Sequence, residues 1–330
     1  MAATMGAVTS QADSQKPTYD GMLSAFEYAY PVERFSLTSQ GQDLEMAYID
    51  LKPEADNANG RTVMLMHGKN FCAGTWEATI GQLHGAGYRV VAPDQIGFCK
   101  SSKPAYYQFS FHQLADNSHA LLDSLGIEHV TVMGHSMGGM LATRYALMYP
   151  DQTDQLVLVN PIGLEDWKAQ GVAYRTIDQN YQAELKKSAE GIRAYQKSTY
   201  YVGTWEPEYE RWVDMLAGMY AGEDGARVAW NQALTSDMVF TQPVVHEFDT
   251  LQVPTLLLIG EQDNTAIGKA HAPDRVKAQL GHYDVLGEQA AAAIPAATLV
   301  EFPDLGHSPQ IQAPERFHEA LLEGLGGAAR

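Results

Sequence analysis

Residues 130–139 read Val130-Thr131-Val132-Met133-Gly134-His135-Ser136-Met137-Gly138-Gly139, an apolar β-type run that passes through G-x-S-x-G into a helix-forming segment. The pattern predicts a strand over His129–Met133 and a helix over Met137–Tyr149, which ends before Pro150. A sharp strand-to-helix turn projects the serine oxygen above the sheet, and the glycines let helix and strand approach closely. Helix N-terminal N–H groups also stabilise negative charge that develops there. We therefore predict that Ser136 is a nucleophile.

A serine nucleophile needs a base and an acid that orients the base. Asp263 follows the apolar run Pro254–Ile259, and His307 follows the apolar run Ala297–Phe302. Both runs predict strands, and parallel strands place their carboxyl ends at the same edge of a sheet. We expect His307 to be the base and Asp263 the acid, in the chain order Ser, acid, His.

Other acidic residues could hold the imidazole. Glu165 follows the strand that ends at Asn160, so it is the alternative acid. Asp304 is a sequence neighbour of His307 and is too local to face the ring.

Two backbone N–H groups are predicted to form the oxyanion hole. One belongs to Met137, the residue after the nucleophile, and the other to Lys69 in the loop His67-Gly68-Lys69-Asn70. Asn70 is the second choice for that donor. The Lys69 side chain is expected to point to solvent or to pair with a carboxylate. His67 is expected to organise the loop as a buried, hydrogen-bonded residue rather than to act as a base.

Strand and helix signals alternate along most of the chain, which predicts an α/β fold with a mainly parallel central sheet covered by helices on both faces. An antiparallel pair opens the sheet. The predicted strands are Arg34–Leu37, Asp43–Ile49, Arg61–Met66, Tyr88–Ala92, His129–Met133, Gln155–Asn160, Pro254–Ile259 and Ala297–Phe302. The predicted core helices are Trp76–Ala86, Phe111–Leu125, Met137–Tyr149 and Pro314–Leu325.

The strand signals are interrupted once, which suggests three parts. Residues 1–31 are predicted to form a partly flexible N-terminal arm, and residues 32–160 with 247–330 the core. Residues 161–246 are predicted to form a helical cap, and this interval holds four of the five tryptophans: Trp167, Trp205, Trp212 and Trp230. Aromatic residues in such a cap suit an apolar or aromatic substrate, although they also pack the cap against the core.

The composition narrows the classes of molecule that the protein is expected to bind. The 40 acidic and 22 basic residues give a formal net charge of −18, which repels phosphate backbones and anionic lipid. We therefore expect neither nucleic acid nor membrane as a partner, and no apolar stretch is long enough for a transmembrane helix. The 11 histidines lack metal-ligand spacing, so we expect no metal and no organic cofactor. A small-molecule substrate is the expected partner, and the choice between monomer and dimer stays open.

These landmarks resemble the α/β-hydrolase superfamily, and within it the capped esterase, epoxide-hydrolase and dehalogenase-like branch. The resemblance rests on His67-Gly68 followed by Trp76, on residues 94–101 (Asp-Gln-Ile-Gly-Phe-Cys-Lys-Ser), and on the order of Ser136, Asp263 and His307. Epoxide hydrolases and dehalogenases of this branch carry Asp where Ser136 stands, so the resemblance implies acyl chemistry. Met137 stands where iminopeptidase-like relatives carry Trp, which disfavours aminopeptidase action.

The resemblance also concerns the two cysteines, Cys72 and Cys99, because their loops are neighbours in relatives. It implies a Cys72–Cys99 disulfide, with two separate buried thiols as the alternative. A disulfide implies an oxidising compartment, periplasmic or extracellular. The start of the chain, Met1-Ala2-Ala3-Thr4, lacks the features of a secretory signal. The protein is therefore expected to be cytoplasmic, or exported with its signal removed.

The resemblance implies a serine hydrolase that cleaves a carboxylic ester or related acyl bond of a small, largely apolar substrate through an acyl-enzyme. Three alternatives stay open. The first is a carbon–carbon bond hydrolase or lactonase with the same triad. The second is a cofactor-free perhydrolase or haloperoxidase-like activity, and the third is a non-catalytic ligand receptor on a hydrolase scaffold.

Overall fold

The computed structural model describes residues 16–326, and its centre is one eight-stranded sheet. The sheet order is β1-β2-β4-β3-β5-β6-β7-β8; β1 pairs antiparallel with β2 and β2 with β4, and all other pairs are parallel. The strands are β1 Glu33–Ser39, β2 Gln42–Leu51, β3 Thr62–Met66, β4 Arg89–Pro93, β5 Val130–His135, β6 Thr153–Val159, β7 Thr255–Gly260 and β8 Ala297–Phe302. The predicted fold class and all eight predicted strands are confirmed.

Helices cover both faces of the sheet. The helices of the described residues are α1 Glu77–Gly85, α2 Phe111–Ser124, α3 Met137–Met148, α4 Ile177–Glu184, α5 Ala189–Tyr195, α6 Glu210–Ala221, α7 Gly225–Thr241, α8 Asp274–Lys277, α9 Tyr283–Ala293, α10 Pro309–Gln312 and α11 Pro314–Gly326. Apolar side chains of α1 and α11 pack on one face, and those of α2, α3 and α9 pack on the other. The short apolar runs at the sheet centre form strands because both of their faces are covered.

Helix α9 was not predicted from the sequence, which shows only an alanine run at its end. Its buried face consists of Tyr283, Leu286, Gly287 and Ala290. Two of these four are small, so the helical period carries little apolar signal. Gly287 lets the helix lie close against β7, because a Cβ at this position would come within 3.3 Å of the Ile259 side chain.

The interval between β6 and β7 contains α4, α5, α6 and α7 and no strand among the described residues. Residues of these helices line two cavities above the carboxyl ends of the strands. The division into core and cap at residues 161 and 246 remains a prediction. None of the helices in residues 16–326 is long and apolar enough to cross a bilayer.

The predicted N-terminal arm falls partly outside the described residues, which begin at residue 16. Residues 16–31 contain no helix or strand, yet they pack against the rest of the chain. Leu23 and Phe26 are buried, and the Tyr19 N–H donates to the Gly218 carbonyl of α6 at 2.9 Å. The Gly21 N–H donates to Asp224 Oδ2 at 2.8 Å. This part of the arm is therefore held in place by α6 and the turn that follows it.

Candidate active site

Ser136 lies on the turn between β5 and α3, with φ 57° and ψ −123°. An L-residue rarely adopts a positive φ, and such strain persists only where the surroundings enforce it. A Cβ at Gly134 would overlap the Gly138 carbonyl oxygen, and a Cβ at Gly138 would overlap that of Met66. Glycine at these two positions is what allows α3 to start directly behind the strands, so that Ser136 points above the sheet edge.

His307 and Asp263 meet beside this turn. His307 Nδ1 donates to Asp263 Oδ2 at 2.6 Å, and the exposed fractions of the two side chains are 1% and 0%. The Thr265 N–H donates to the other carboxylate oxygen, Oδ1, at 2.9 Å. Because Nδ1 is engaged, Nε2 is the ring nitrogen left to exchange a proton. His307 and Ser136 line the same cavity, of about 60 Å³.

The other acidic residues considered from the sequence have different partners. The Glu165 carboxylate accepts hydrogen bonds from Trp167 Nε1 at 3.2 Å and the Gly281 N–H at 3.0 Å. Asp304 pairs with Arg316 at 2.8 Å. Asp263 is therefore the acid that the structure places against His307, and Glu165 fastens the loop before α9 instead.

Asn160, at the end of β6, supports the acid and was not singled out from the sequence. Its Nδ2 donates to Asp263 Oδ2 at 3.1 Å and to the Gly260 carbonyl at 3.0 Å, and its Oδ1 accepts the Gly260 N–H at 2.8 Å. The amide thereby bridges the ends of β6 and β7 and holds the carboxylate. The sequence signal that could have pointed to Asn160 is a polar residue at the carboxyl end of a buried strand.

Asn160→Ala is expected to lower kcat between about 10- and 100-fold, because the carboxylate that orients His307 loses one donor and shifts. It is also expected to lower the free energy of unfolding by about 2 kcal/mol, since the buried Gly260 N–H loses its partner. Ester hydrolysis and urea unfolding measure the two effects. Asn117→Ala is the control, because Asn117 is a buried amide whose Nδ2 donates to Tyr107 at 3.0 Å, away from the site. Equal losses of kcat in both variants would contradict a positioning role for Asn160.

Two further histidines support the loops and stay neutral. His135 Nε2 donates to the His307 carbonyl oxygen at 2.7 Å. Burial, and then the neighbouring His307, holds the pKa of His135 well below its ordinary value. His67 Nε2 accepts the Gln95 N–H at 3.0 Å, so its Nδ1 donates to the Gly68 carbonyl at 2.8 Å, and burial lowers its pKa. His67 thus organises the loop after β3, as expected from the sequence.

The two residues predicted to supply oxyanion donors lie next to Ser136. Met137 opens α3, so its N–H belongs to the first helical turn, where amides have no intrahelical acceptor. The loop after β3 turns sharply, with the Phe71 N–H donating to the Gly68 carbonyl at 3.1 Å. A Cβ at Gly68 would lie 2.9 Å from Ser136 Cβ, which shows how closely this loop approaches the serine. Lys69 and Asn70 line the same small cavity as Ser136.

The Lys69 side chain pairs with a carboxylate. Lys69 Nζ lies 2.7 Å from Glu184 Oε1, and Lys187 Nζ lies 3.0 Å from Glu184 Oε2. Burial lowers the pKa of Lys69 to about 8 although Glu184 opposes the change. Burial disfavours the charged form of Glu184, but the two lysines outweigh it and lower its pKa to about 2.

A π-helical turn after α5, residues Gln196–Tyr200, contacts both halves of the site. The Thr199 carbonyl accepts the His307 N–H at 3.3 Å, and the Tyr200 hydroxyl accepts from Asn70 Nδ2 at 2.9 Å. The Tyr200 and His307 rings lie 5.1 Å apart between centroids. This turn therefore holds the histidine loop and the loop after β3 together, a contact that the sequence did not reveal.

A larger cavity of about 440 Å³ adjoins the small one and shares Tyr195, Tyr200 and Ile267 with its wall. Burial, and then the negative charge of Asp263, raises the pKa of Tyr195 to about 12, so its hydroxyl stays protonated. The two cavities share six wall residues, and most of the surface that lines each of them is apolar.

Cys72 and Cys99 form a disulfide in the structure, with their Cα atoms 5.8 Å apart. Cys72 lies in the loop that carries Lys69 and Asn70, and Cys99 in the loop after β4. The bond thus fastens the predicted oxyanion loop to its neighbour.

Reduction of this disulfide is expected to lower the free energy of unfolding by about 3 kcal/mol, because the bond closes a loop with a sequence separation of 27. Urea unfolding with and without a phosphine reductant measures the loss. A Cys72→Ala/Cys99→Ala variant should be insensitive to the reductant. Two thiols that alkylate in the folded protein before reduction would contradict the disulfide.

A model of the alpha/beta hydrolase fold matches residues 61–314, most of the chain. The chain belongs to the alpha/beta hydrolase family. The chain is similar to the crystal structure of a probable hydrolytic enzyme from Pseudomonas aeruginosa PAO1, with which it shares 67% sequence identity. The TM-score is 0.93, and the match covers 94% of this chain and 99% of that one. The assignment of this α/β hydrolase made from its sequence is thereby confirmed.

Curated relatives of the α/β hydrolase are more distant. Lipase 1 of Psychrobacter immobilis is 26% identical over 278 residues, which cover 82% of this chain and 80% of the lipase. The 2-hydroxy-6-oxo-6-phenylhexa-2,4-dienoate hydrolase of Burkholderia cepacia is 37% identical over 112 residues, but that match covers only 33% of this chain and 39% of the relative. The relatives named here are all hydrolases, and their names differ in substrate.

Proposed function

We propose that the protein is a serine hydrolase that cleaves a carboxylic ester or related acyl bond of a small, largely apolar molecule. One observation carries the proposal: His307, held by the buried Asp263 at 2.6 Å, shares a cavity with Ser136 on its strained turn. A nucleophile, a base and an orienting acid are the parts that acyl transfer requires.

In the first step the Ser136 oxygen attacks the substrate carbonyl while His307 Nε2 takes the hydroxyl proton. The carbonyl π electrons move to its oxygen, which becomes an oxyanion. When the intermediate collapses, the bond to the leaving alkoxide breaks, and His307 returns the proton to it as the alcohol departs. Water then attacks the acyl-enzyme with His307 as base, and Ser136 is regenerated with release of the acid.

The surrounding residues favour this sequence of steps. Asp263 stabilises the imidazolium that forms on His307. The backbone N–H groups of Met137 and Lys69 are assigned to the oxyanion, where fixed donors contribute about 3–4 kcal/mol each to transition-state stabilisation. The neutral His135 holds the His307 loop by its carbonyl without competing for the proton.

The acyl-enzyme gives the direct test. Rapid mixing with an excess of a p-nitrophenyl ester is expected to release a burst of p-nitrophenol of one equivalent per chain, followed by slower turnover. A series of alkanoyl chain lengths would then measure how much of the larger, mostly apolar cavity the acyl group fills. Hydrolysis of none of these esters, and of none of the lactones and acyl thioesters tested beside them, would overturn the proposal.

A carbon–carbon bond hydrolase or lactonase is the second candidate. It is favoured by the similarity over 112 residues to the Burkholderia dienoate hydrolase. The same triad serves both, so the readout must be the product: a vinylogous 1,5-diketone acid cleaved faster than the best aryl ester would favour this candidate. A peroxide- and halide-dependent assay covers the haloperoxidase-like alternative, and ligand binding without turnover would favour a receptor.

A further inference from the structure

The wall of the larger cavity has an unusual charge for this chain. Fourteen of the described residues line it, and among them three are lysines, Lys69, Lys186 and Lys187, and none is Asp or Glu. The chain as a whole has a formal net charge of −18. A cationic entrance on a strongly acidic protein concentrates anions locally against the average field of the surface.

The three lysines come from two sides of the cavity. Lys186 and Lys187 lie at the cavity rim in the turn between α4 and α5, where Lys186 is exposed and Lys187 half-buried. Lys69 follows β3 and also lines the small cavity with Ser136. Positive charge therefore extends from the rim to the place where the proposed acyl chemistry occurs.

The neighbouring acidic groups do not cancel this charge. Glu184 is buried and shared between Lys69 and Lys187, and its Oε2 also accepts from the Tyr220 hydroxyl. Lys186 has no ion pair within residues 16–326. Glu190, the next acidic residue along the chain, is outside the cavity wall and acts on the pKa of Arg193. The three lysines and Glu184 together therefore keep a positive formal charge.

We propose that the substrate carries an anionic group, with a carboxylate as the simplest case, that binds Lys186 and Lys187 at the cavity rim while its ester carbonyl lies at Ser136. This inference rests on the proposed ester hydrolysis. It assigns the substrate class as an ester or related acyl compound whose apolar chain ends in a negative charge. The apolar part would contact Tyr195, Ile192 and Ile267 between the two ends.

Paired substrates test the proposal. Monoaryl esters of dicarboxylic acids from succinate to sebacate are compared with aryl esters of the monocarboxylic acids of equal chain length. In the wild type, kcat/KM is expected to be higher for the anionic member at the optimal length. Lys186→Glu is expected to lower the ratio of anionic to neutral kcat/KM about tenfold, because an attraction becomes a repulsion. Raising the ionic strength should lower the same ratio in the wild type.

Lys52→Glu is the matched control, since it changes the net charge equally at an exposed turn after β2, and the ratio should stay at the wild-type value. Lys187→Gln, which keeps an N–H donor for Glu184 but removes the charge, should lower the ratio less than Lys186→Glu. If Lys186→Glu leaves the ratio of anionic to neutral kcat/KM unchanged, the inference is overturned, whereas ester hydrolysis still stands.

If no ester is hydrolysed, the proposed function fails and a binding measurement decides the inference. Titration calorimetry with sebacate is expected to give a Kd several-fold weaker for Lys186→Glu than for the wild type. Equal affinities, or no saturable binding to the wild type, would overturn the anion site.

Discussion

Ser136→Ala is expected to lower kcat for ester hydrolysis at least about 10,000-fold, because no covalent acyl-enzyme can form without the hydroxyl. The burst of p-nitrophenol should disappear with it. The fold should be retained, since the substitution removes one atom from a cavity wall and leaves Gly134 and Gly138 in place. Steady-state and rapid-mixing kinetics measure the loss.

Ser36→Ala is the matched control, because Ser36 is exposed on β1, at the edge of the sheet farthest from the site. It should keep both the burst and kcat. A Ser136→Ala variant that retained a stoichiometric burst would place the acyl group on another residue.

Asp263→Asn is expected to lower kcat between about 1,000- and 10,000-fold with little change in KM. An amide cannot stabilise the imidazolium, and its N–H₂ can hold His307 in the wrong tautomer. KM should change little because Asp263 is buried behind His307 and does not line either cavity. Kinetics across a pH series separate the two constants.

Glu165→Gln tests the same assignment from the other side. Gln keeps a carbonyl acceptor for Trp167 and the Gly281 N–H, so kcat should stay near the wild-type value. A large loss of kcat in Glu165→Gln combined with a small loss in Asp263→Asn would reverse the choice of acid.

The three residues proposed as the triad could be selected from the sequence because each lies on a turn or loop that follows a strand. The parallel strands bring the carboxyl ends of β5, β7 and β8 to one edge of the sheet. Ser136, Asp263 and His307 could therefore be predicted to lie close together without knowledge of side-chain packing. The glycines around Ser136 were similarly readable, because a close approach of helix and strand allows no other residue.

Other features depend on contacts between segments far apart in the chain. Asn160 matters because its amide lies opposite Gly260 across the β6–β7 pair, and Lys69 because Glu184 from α4 reaches it. The turn at Gln196–Tyr200 reaches both His307 and Asn70 only once the helices between β6 and β7 are placed. No local period in the sequence encodes such contacts, so they could not be predicted.

The sequence alone gives the least information about the substrate class. Counting aromatic residues between β6 and β7 suggested an apolar substrate, which agrees with Tyr195 and Tyr200 in the cavity walls. Lys69 is far from Lys186 and Lys187 in the chain, so their clustering appears only in three dimensions. The overall charge of −18 by itself argues against an anionic substrate.

The most direct test of the central claim is the mass of the protein after reaction with a fluorophosphonate, followed by peptide mapping of the adduct. The proposed mechanism predicts one phosphonyl group per chain on Ser136, and no adduct after Ser136→Ala or when the protein is first unfolded. An unmodified folded protein, or an adduct that persists in Ser136→Ala, would contradict the assignment of Ser136 as the nucleophile.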